Sequence, residues 1–183
     1  MGGNDCKAVR KSGSDEPNMK KILVIGCPGS GKSTFSRALR DKIGISICHL
    51  DALYWNDDGT TADKEIFLNR LSEVMRREEW IIDGNYSSTL EWRIDACDTV
   101  FFLDYPVDVC LDGVEKRRGK ARSDMPWIET AEDFEFTEFI KNFEKNQRPF
   151  VLETLEKYAD KTVVVFHNRK EAEDYITSKM TRF

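Results

Sequence analysis

From Lys20 onward, short apolar runs alternate with stretches whose apolar residues recur at helical spacing. The first run, Lys21–Ile25, predicts a strand, and the following 33–42 predicts a helix with Phe35, Ala38, Leu39 and Ile43 on one face. A second strand is expected over Ile45–Leu50, ending on Asp51, and a helix over about 63–77 carries Ile66, Phe67, Leu71, Val74 and Met75. Trp80-Ile81-Ile82 reads as strand three, followed by a short helix near 87–93. Strand four is expected over Thr99–Leu103, a helix over about 107–118, strand five over Thr162–Phe166, and a last helix over 170–179. Strands alternating with helices in this way predict an α/β fold: a three-layer α/β/α sandwich around a five-stranded, mostly parallel sheet.

In open sheets of that kind ligands gather at the carboxyl ends of the strands. The pattern puts Asp51, Asp83, Asn85 and Asp104 at that edge. The same edge carries Gly26-Cys27-Pro28-Gly29-Ser30-Gly31-Lys32-Ser33, a complete G-x-x-x-x-G-K-[ST] loop between a strand and a helix. Its glycines let the backbone turn tightly enough to aim several N–H groups at a phosphate chain, and the helix dipole adds to them. Lys32 is expected on the β- and γ-phosphates and Ser33 on Mg²⁺, so the chain is read as binding a nucleoside triphosphate.

A second phosphate-handling element is expected in the segment 116–122, KRRGKAR, which places five cations in seven residues. Phosphoryl transfer spreads negative charge over equatorial oxygens, and cations brought over them stabilise it. Gly119 offers a hinge, and Phe136, Phe139, Ile140 and Phe143 form a stripe read as packing for the insert. The lid insert is placed at about 117–147.

Composition narrows the class. With 183 residues, 40% hydrophobic and 33% charged, the chain from 19 to 183 is expected to be one domain. Residues 1–18 show no periodicity and read as a flexible leader or a cloning remnant. A net charge of -5 argues against a nucleic-acid partner, and neither a membrane-length apolar run nor a signal peptide is apparent. Five cysteines without C-x-x-C spacing suit reduced thiols in the cytoplasm.

Several residues carry alternatives. Asp51 reads as a base or hydroxyl-orienting group, a partner of metal-bound water, or a helix cap. Asp104 follows four apolar residues as a Walker-B metal ligand would, but Tyr105-Pro106 behind it equally suits a helix N-cap. Asp83 caps its loop or holds Mg²⁺ through water. Tyr54 and Trp55 wall an acceptor pocket or belong to the core.

Loop, acceptor region and arginine-bearing insert follow one another in the order seen in kinases of the adenylate kinase and shikimate kinase type. More closely, His49-Leu50-Asp51-Ala52-Leu53-Tyr54-Trp55, Ile82-Asp83-Gly84-Asn85-Tyr86 and the 117–122 segment resemble the bacterial topology modulation protein family, which is adenylate-kinase-like. The resemblance spans roughly residues 19–180. It implies an ATP- and Mg²⁺-dependent phosphotransferase acting on a small hydroxyl- or phosphate-bearing acceptor. Under it, Gly26, Pro28, Gly29, Ser30, Gly31, Lys32, Ser33 and Thr34 cradle the triphosphate. Asp51, Tyr54 and Asn85 face the acceptor, and Arg117, Arg118 and Arg122 act as lid arginines, with Arg148 assisting. Asn168 and Arg169 fall where the adenine is usually held, and Ser33 and Asp104 are the metal candidates. Adenylate kinases carry a D-G-F-P-R run after strand three, whereas here the run is Asp83-Gly84-Asn85-Tyr86-Ser87-Ser88 and the nearest arginine is Arg93. Two alternatives stand beside this reading: a nucleoside monophosphate kinase with Arg93 as clamp, and an ATP-binding regulator of DNA topology.

Overall fold

The computed structural model describes residues 19–56, 58–122 and 133–178, with the backbone of residue 179. The expected leader at 1–18, and the expected lid between 123 and 132, lie outside the described residues. In chain order the elements are β1 (Lys21–Gly26), α1 (Lys32–Ile43), β2 (Ile47–His49), α2 (Leu50–Tyr54), α3 (Lys64–Met75), β3 (Trp80–Asp83) and α4 (Ser87–Ala96). There follow β4 (Thr99–Leu103), α5 (Val107–Arg117), α6 (Phe134–Lys141), α7 (Phe143–Asn146), α8 (Arg148–Lys157), β5 (Thr162–Phe166) and α9 (Arg169–Lys179).

The strands pair in the order β2-β3-β1-β4-β5, and every pairing is parallel. The central strands are covered on both faces, which is why they read as unbroken apolar runs instead of alternating ones. Ile22 and Val24 of β1, Phe101 and Leu103 of β4 and Phe166 of β5 pack with Phe35, Leu39, Ala172 and Ile176 from α1 and α9. On the opposite face Leu23, Ile25, Ile82, Val100 and Phe102 meet Leu50, Phe67, Leu71, Leu90, Ile94 and Val151. Two cores on one sheet make the three-layer α/β/α architecture expected above.

The structure departs from the expected elements in several places, α6, α7 and α8 among them, for which no ranges were expected. β2 is shorter than Ile45–Leu50, because the backbone turns into α2 at Leu50. Asp51 therefore sits in the first turn of a five-residue helix instead of on a strand end. α4 runs on to Ala96, which places Arg93 within the helix instead of at its last residue. The phenylalanine stripe divides: Ile140 and Phe143 enter the core, whereas Phe136 and Phe139 line a cavity at the carboxyl edge.

α5 lies flush against the loop after β1, and glycine permits it. Gly29 has φ +85, and a Cβ there would stand 2.0 Å from the Cys110 carbonyl oxygen. On the facing side, a Cβ at Gly113 would stand 2.1 Å from the Gly29 carbonyl oxygen. Gly29→Ala combines backbone strain with a backbone clash and is expected to cost about 2 kcal/mol or more, a fall in Tm of at least ~4 °C. Gly31, at φ +96 with open space around it, should lose only ~1 kcal/mol on the same change. Thermal melts of the two variants check the order. Equal losses would mean that α5 does not bear on the loop.

Candidate functional site

The loop after β1 folds on itself through Ser30 N–H to the Cys27 carbonyl, 3.1 Å. It delivers the chain to α1 through Gly31 in the left-handed region, with no side chain capping that helix. Uncapped N–H groups at a helix start are an anion site in waiting. Pro28, Gly29, Ser30, Gly31, Lys32, Ser33 and Thr34 all line a cavity of about 1060 Å³ at the carboxyl edge of the sheet. Gly26 stands just behind them, closing β1. The Lys32 ammonium folds back to donate to the carbonyls of Gly26 (2.9 Å) and Cys27 (3.2 Å). Burial lowers its pKa, while the charges of Asp83 and Asp51 oppose that shift. Cys27 is 2% exposed and belongs to the core, in contact with Cys110 of α5, so its thiol is not part of the cavity wall.

β3 supplies the next wall. Asp83, buried at its end, receives His49 Nδ1 on Oδ1 at 2.8 Å, and its Oδ2 is buried with no hydrogen-bond partner among the described residues. Asn85 accepts from the Gly26 N–H at 3.0 Å through Oδ1, leaving its buried Nδ2 without a partner there. Both residues line the cavity. Orphaned polar atoms at such a place are costly unless a ligand or its water satisfies them. The Ser30 hydroxyl is a third.

Asp51 lines the same cavity and accepts a 2.8 Å hydrogen bond from the Tyr86 hydroxyl. Burial raises its pKa; the Tyr86 bond and the nearby charges of Lys32 and Arg122 pull the other way. Tyr86 is the one described residue other than glycine with positive φ, 32°. The cause lies beneath it. Arg93 is fully buried and donates to the carbonyls of Gly84 (2.9 Å), Tyr86 (3.0 Å) and Asn85, and through Nε to Thr89. Burial lowers its pKa to about 9, so it stays charged at neutral pH. Arg93 thus straps the 84–86 turn from inside and does not line the cavity, contrary to the acceptor role considered for it.

Two other expectations change. Asp104 presents both oxygens to Arg148, Nε and Nη2 at 2.8 Å each, and neither residue reaches the cavity wall. A metal there would have to displace a bidentate guanidinium. Tyr54 is turned into an aromatic cluster, its ring 5.5 Å from Phe67 and 5.0 Å from Tyr86, and Trp55 lines the cavity in its stead.

The basic segment faces the same cavity. Arg117, Arg118 and Arg122 line the cavity, with Arg117 5.7 Å over the Phe136 ring and Arg118 paired with Glu115 at 2.8 Å. Arg169 lines it too, donating to the Val109 carbonyl at 3.2 Å. Asn168 is engaged as a cap of α9, accepting from Glu171 N–H at 3.0 Å. The Asp51–Tyr86, His49–Asp83 and Arg93 contacts were not legible beforehand. The signal for the first two lay in their polar residues flanking apolar runs; Arg93, bound to backbone, gave none.

No protein-family model matches the chain, and no curated protein does. Solved structures do. A shikimate kinase from Bacteroides thetaiotaomicron superposes with TM-score 0.59 at 20% identity, covering 87% of this chain and 95% of its own. A shikimate kinase from Acinetobacter baumannii, solved with shikimate, gives 0.61 at 17% identity over 90% and 92%. A sugar kinase from Janibacter sp. HTCC2649 gives 0.51 at 19% over 89% and 93%. The likeness is one of fold: the chain shares the three-layer α/β/α architecture of these structures. Among the described residues, no helix is long and apolar enough to cross a membrane.

Replacing Arg93 by leucine would take the guanidinium from the Gly84, Asn85 and Tyr86 carbonyls, of which Tyr86 keeps the Thr89 N–H and hydroxyl. The expected loss is about 3 kcal/mol or more, read as the shift in urea midpoint. Near-native stability would mean that the side chain is not the strap of this turn.

Proposed function

We propose that this protein is an ATP- and Mg²⁺-dependent phosphotransferase that moves the γ-phosphoryl group of ATP to a small acceptor. The observation that carries it is the convergence of Lys32, the arginines Arg117, Arg118 and Arg122, and Asp51 on one cavity at the mouth of the phosphate loop. Backbone N–H groups and Lys32 hold the triphosphate, the arginines stabilise charge on the transferring group, and Asp51 orients the acceptor hydroxyl and takes its proton. Arg169, which begins α9 and lines the cavity, is our candidate for the side of the nucleotide base.

The residues fit Mg²⁺. That ion needs few protein ligands and keeps several waters. Ser33, in the first turn of α1, would hold it, and the orphaned Asp83 Oδ2 would accept from one of its waters. When bound it would supply positive charge that offsets the negative charge of the phosphates. Asp104 is left out of this set, because Arg148 occupies both its oxygens. The monophosphate-kinase alternative loses its clamp, since the donors of Arg93 are directed to backbone carbonyls and Thr89. The resemblance to the topology modulation family rests on the quoted motifs alone.

Coupled ADP release with ATP–Mg²⁺ across hydroxylated metabolites, nucleosides and monophosphates tests the proposal. Lys32→Ala should lower acceptor-stimulated turnover roughly 10²–10³-fold while the far-UV spectrum and melting stay native-like. Full activity in that variant sinks the mechanism.

Asp51 also generates a pH prediction. Its raised pKa moves the acidic limb of the rate profile to higher pH than an ordinary aspartate would give. The Tyr86 hydroxyl stabilises the charged form, so Tyr86→Phe should raise the pKa and move that limb to higher pH. A limb that stays put or moves down would exclude Asp51 as the titrating base.

A further inference from the structure

Arg117, Arg118 and Arg169 line the cavity from α5 and α9, and Lys32 sits within reach of the charges of Asp51 and Asp83. Among the described residues, the wall built by β2, α2 and β3 itself contributes Asp51 and Asp83 to the lining and no cation. A phosphorylated or carboxylated acceptor needs a cation on its own side. The residue best placed by sequence to give one, Arg93, is withdrawn beneath the 84–86 turn with its donors on Gly84, Asn85, Tyr86 and Thr89. Arg70 of α3 donates instead to the Leu53 carbonyl at 3.0 Å and does not line the cavity. Arg122, from the basic segment, lies near enough to Asp51 to favour its charged form. The wall supplies hydrogen bonding and a flat apolar face. Asp51 accepts, the buried Asn85 Nδ2 is an unanswered donor, and Trp55 and Tyr86 line the space beside them. A carboxylate and an amide beside aromatic faces suit adjacent hydroxyls on a compact ring.

We propose that the acceptor is an uncharged polyhydroxylated ring, one hydroxyl on Asp51, a neighbouring one on Asn85 Nδ2 and its apolar face against Trp55, and not a phosphomonoester or a carboxylate. This rests on the kinase reading above and goes on to name the chemistry of its acceptor. Charge decides it. A dianion on this wall would meet the like charges of Asp51 and Asp83.

The test uses the full chain saturated with a non-hydrolysable ATP analogue and Mg²⁺, so that the phosphate loop is filled. Matched pairs are then titrated and the melting temperature followed: a hexose and its 6-phosphate, a cyclitol and its phosphate, a ribonucleoside and its 5′-monophosphate, with inorganic phosphate alone as anion probe. The neutral member of at least one pair should give a saturable rise larger than its phosphorylated partner, and which pair does so separates sugar, cyclitol and nucleoside. Inorganic phosphate should give none. Asp51→Asn and Trp55→Ala should each weaken that response roughly tenfold or more without removing the rise caused by the analogue itself. A larger rise with a phosphorylated member or with inorganic phosphate overturns the proposal, as does a panel in which no neutral member moves the midpoint. Failure of the analogue to stabilise the protein at all would instead bring down the kinase reading.

Discussion

A guanidinium buried to 0% exposure, with backbone carbonyls for its partners, is the constraint on which the acceptor half of this protein hangs. Burying such a charge is tolerable only when its donors are satisfied, and carbonyls of a turn can do that only if the turn takes one particular shape. Arg93 and the 84–86 backbone therefore specify each other. The shape includes a left-handed tyrosine, an arrangement that other contacts must hold in place. From that tyrosine the chain of consequence runs outward. Its hydroxyl sets Asp51, while Asn85 beside it receives the Gly26 N–H and joins the turn to the phosphate loop.

The phosphate end is built on a different principle. There the backbone itself is the ligand-binding group, and side chains matter mostly by their absence. Two glycines, one on the loop and one on α5, bring main chain against main chain. α5 ends in the basic segment that lines the cavity, so the helix that presents the cations is in contact with the loop that grips their target. The two halves meet on β1, whose last residue gives its carbonyl to Lys32 and its N–H to Asn85.

Much of this was readable in the chain, for physical reasons that differ by element. Parallel strands covered on both faces leave apolar runs, so β1, β4 and β5 stood out, β4 and β5 to the residue. The phosphate loop was readable because only glycine and a few small residues allow its backbone path. α2 was not, since five residues are too few to display a helical period, and with it went the true setting of Asp51. Asp104 and Arg148 are 44 residues apart, and nothing local marks them as a pair. Arg93 was seen as a charge that would seek a ligand. Its partners are carbonyls, which every residue carries and which leave no trace in a sequence.

Lys32 folded onto the carbonyls of its own loop also bears on selectivity. An incoming anion does not meet a bare ammonium; it must exchange two existing hydrogen bonds for its own. The gain is the difference between the two sets, so a small monoanion in a watery cavity gains little. A polyphosphate, reaching the loop N–H groups and the ammonium together, replaces those bonds and keeps a surplus. The resting contact thus acts as a threshold that sorts ligands by how many charges they bring at once.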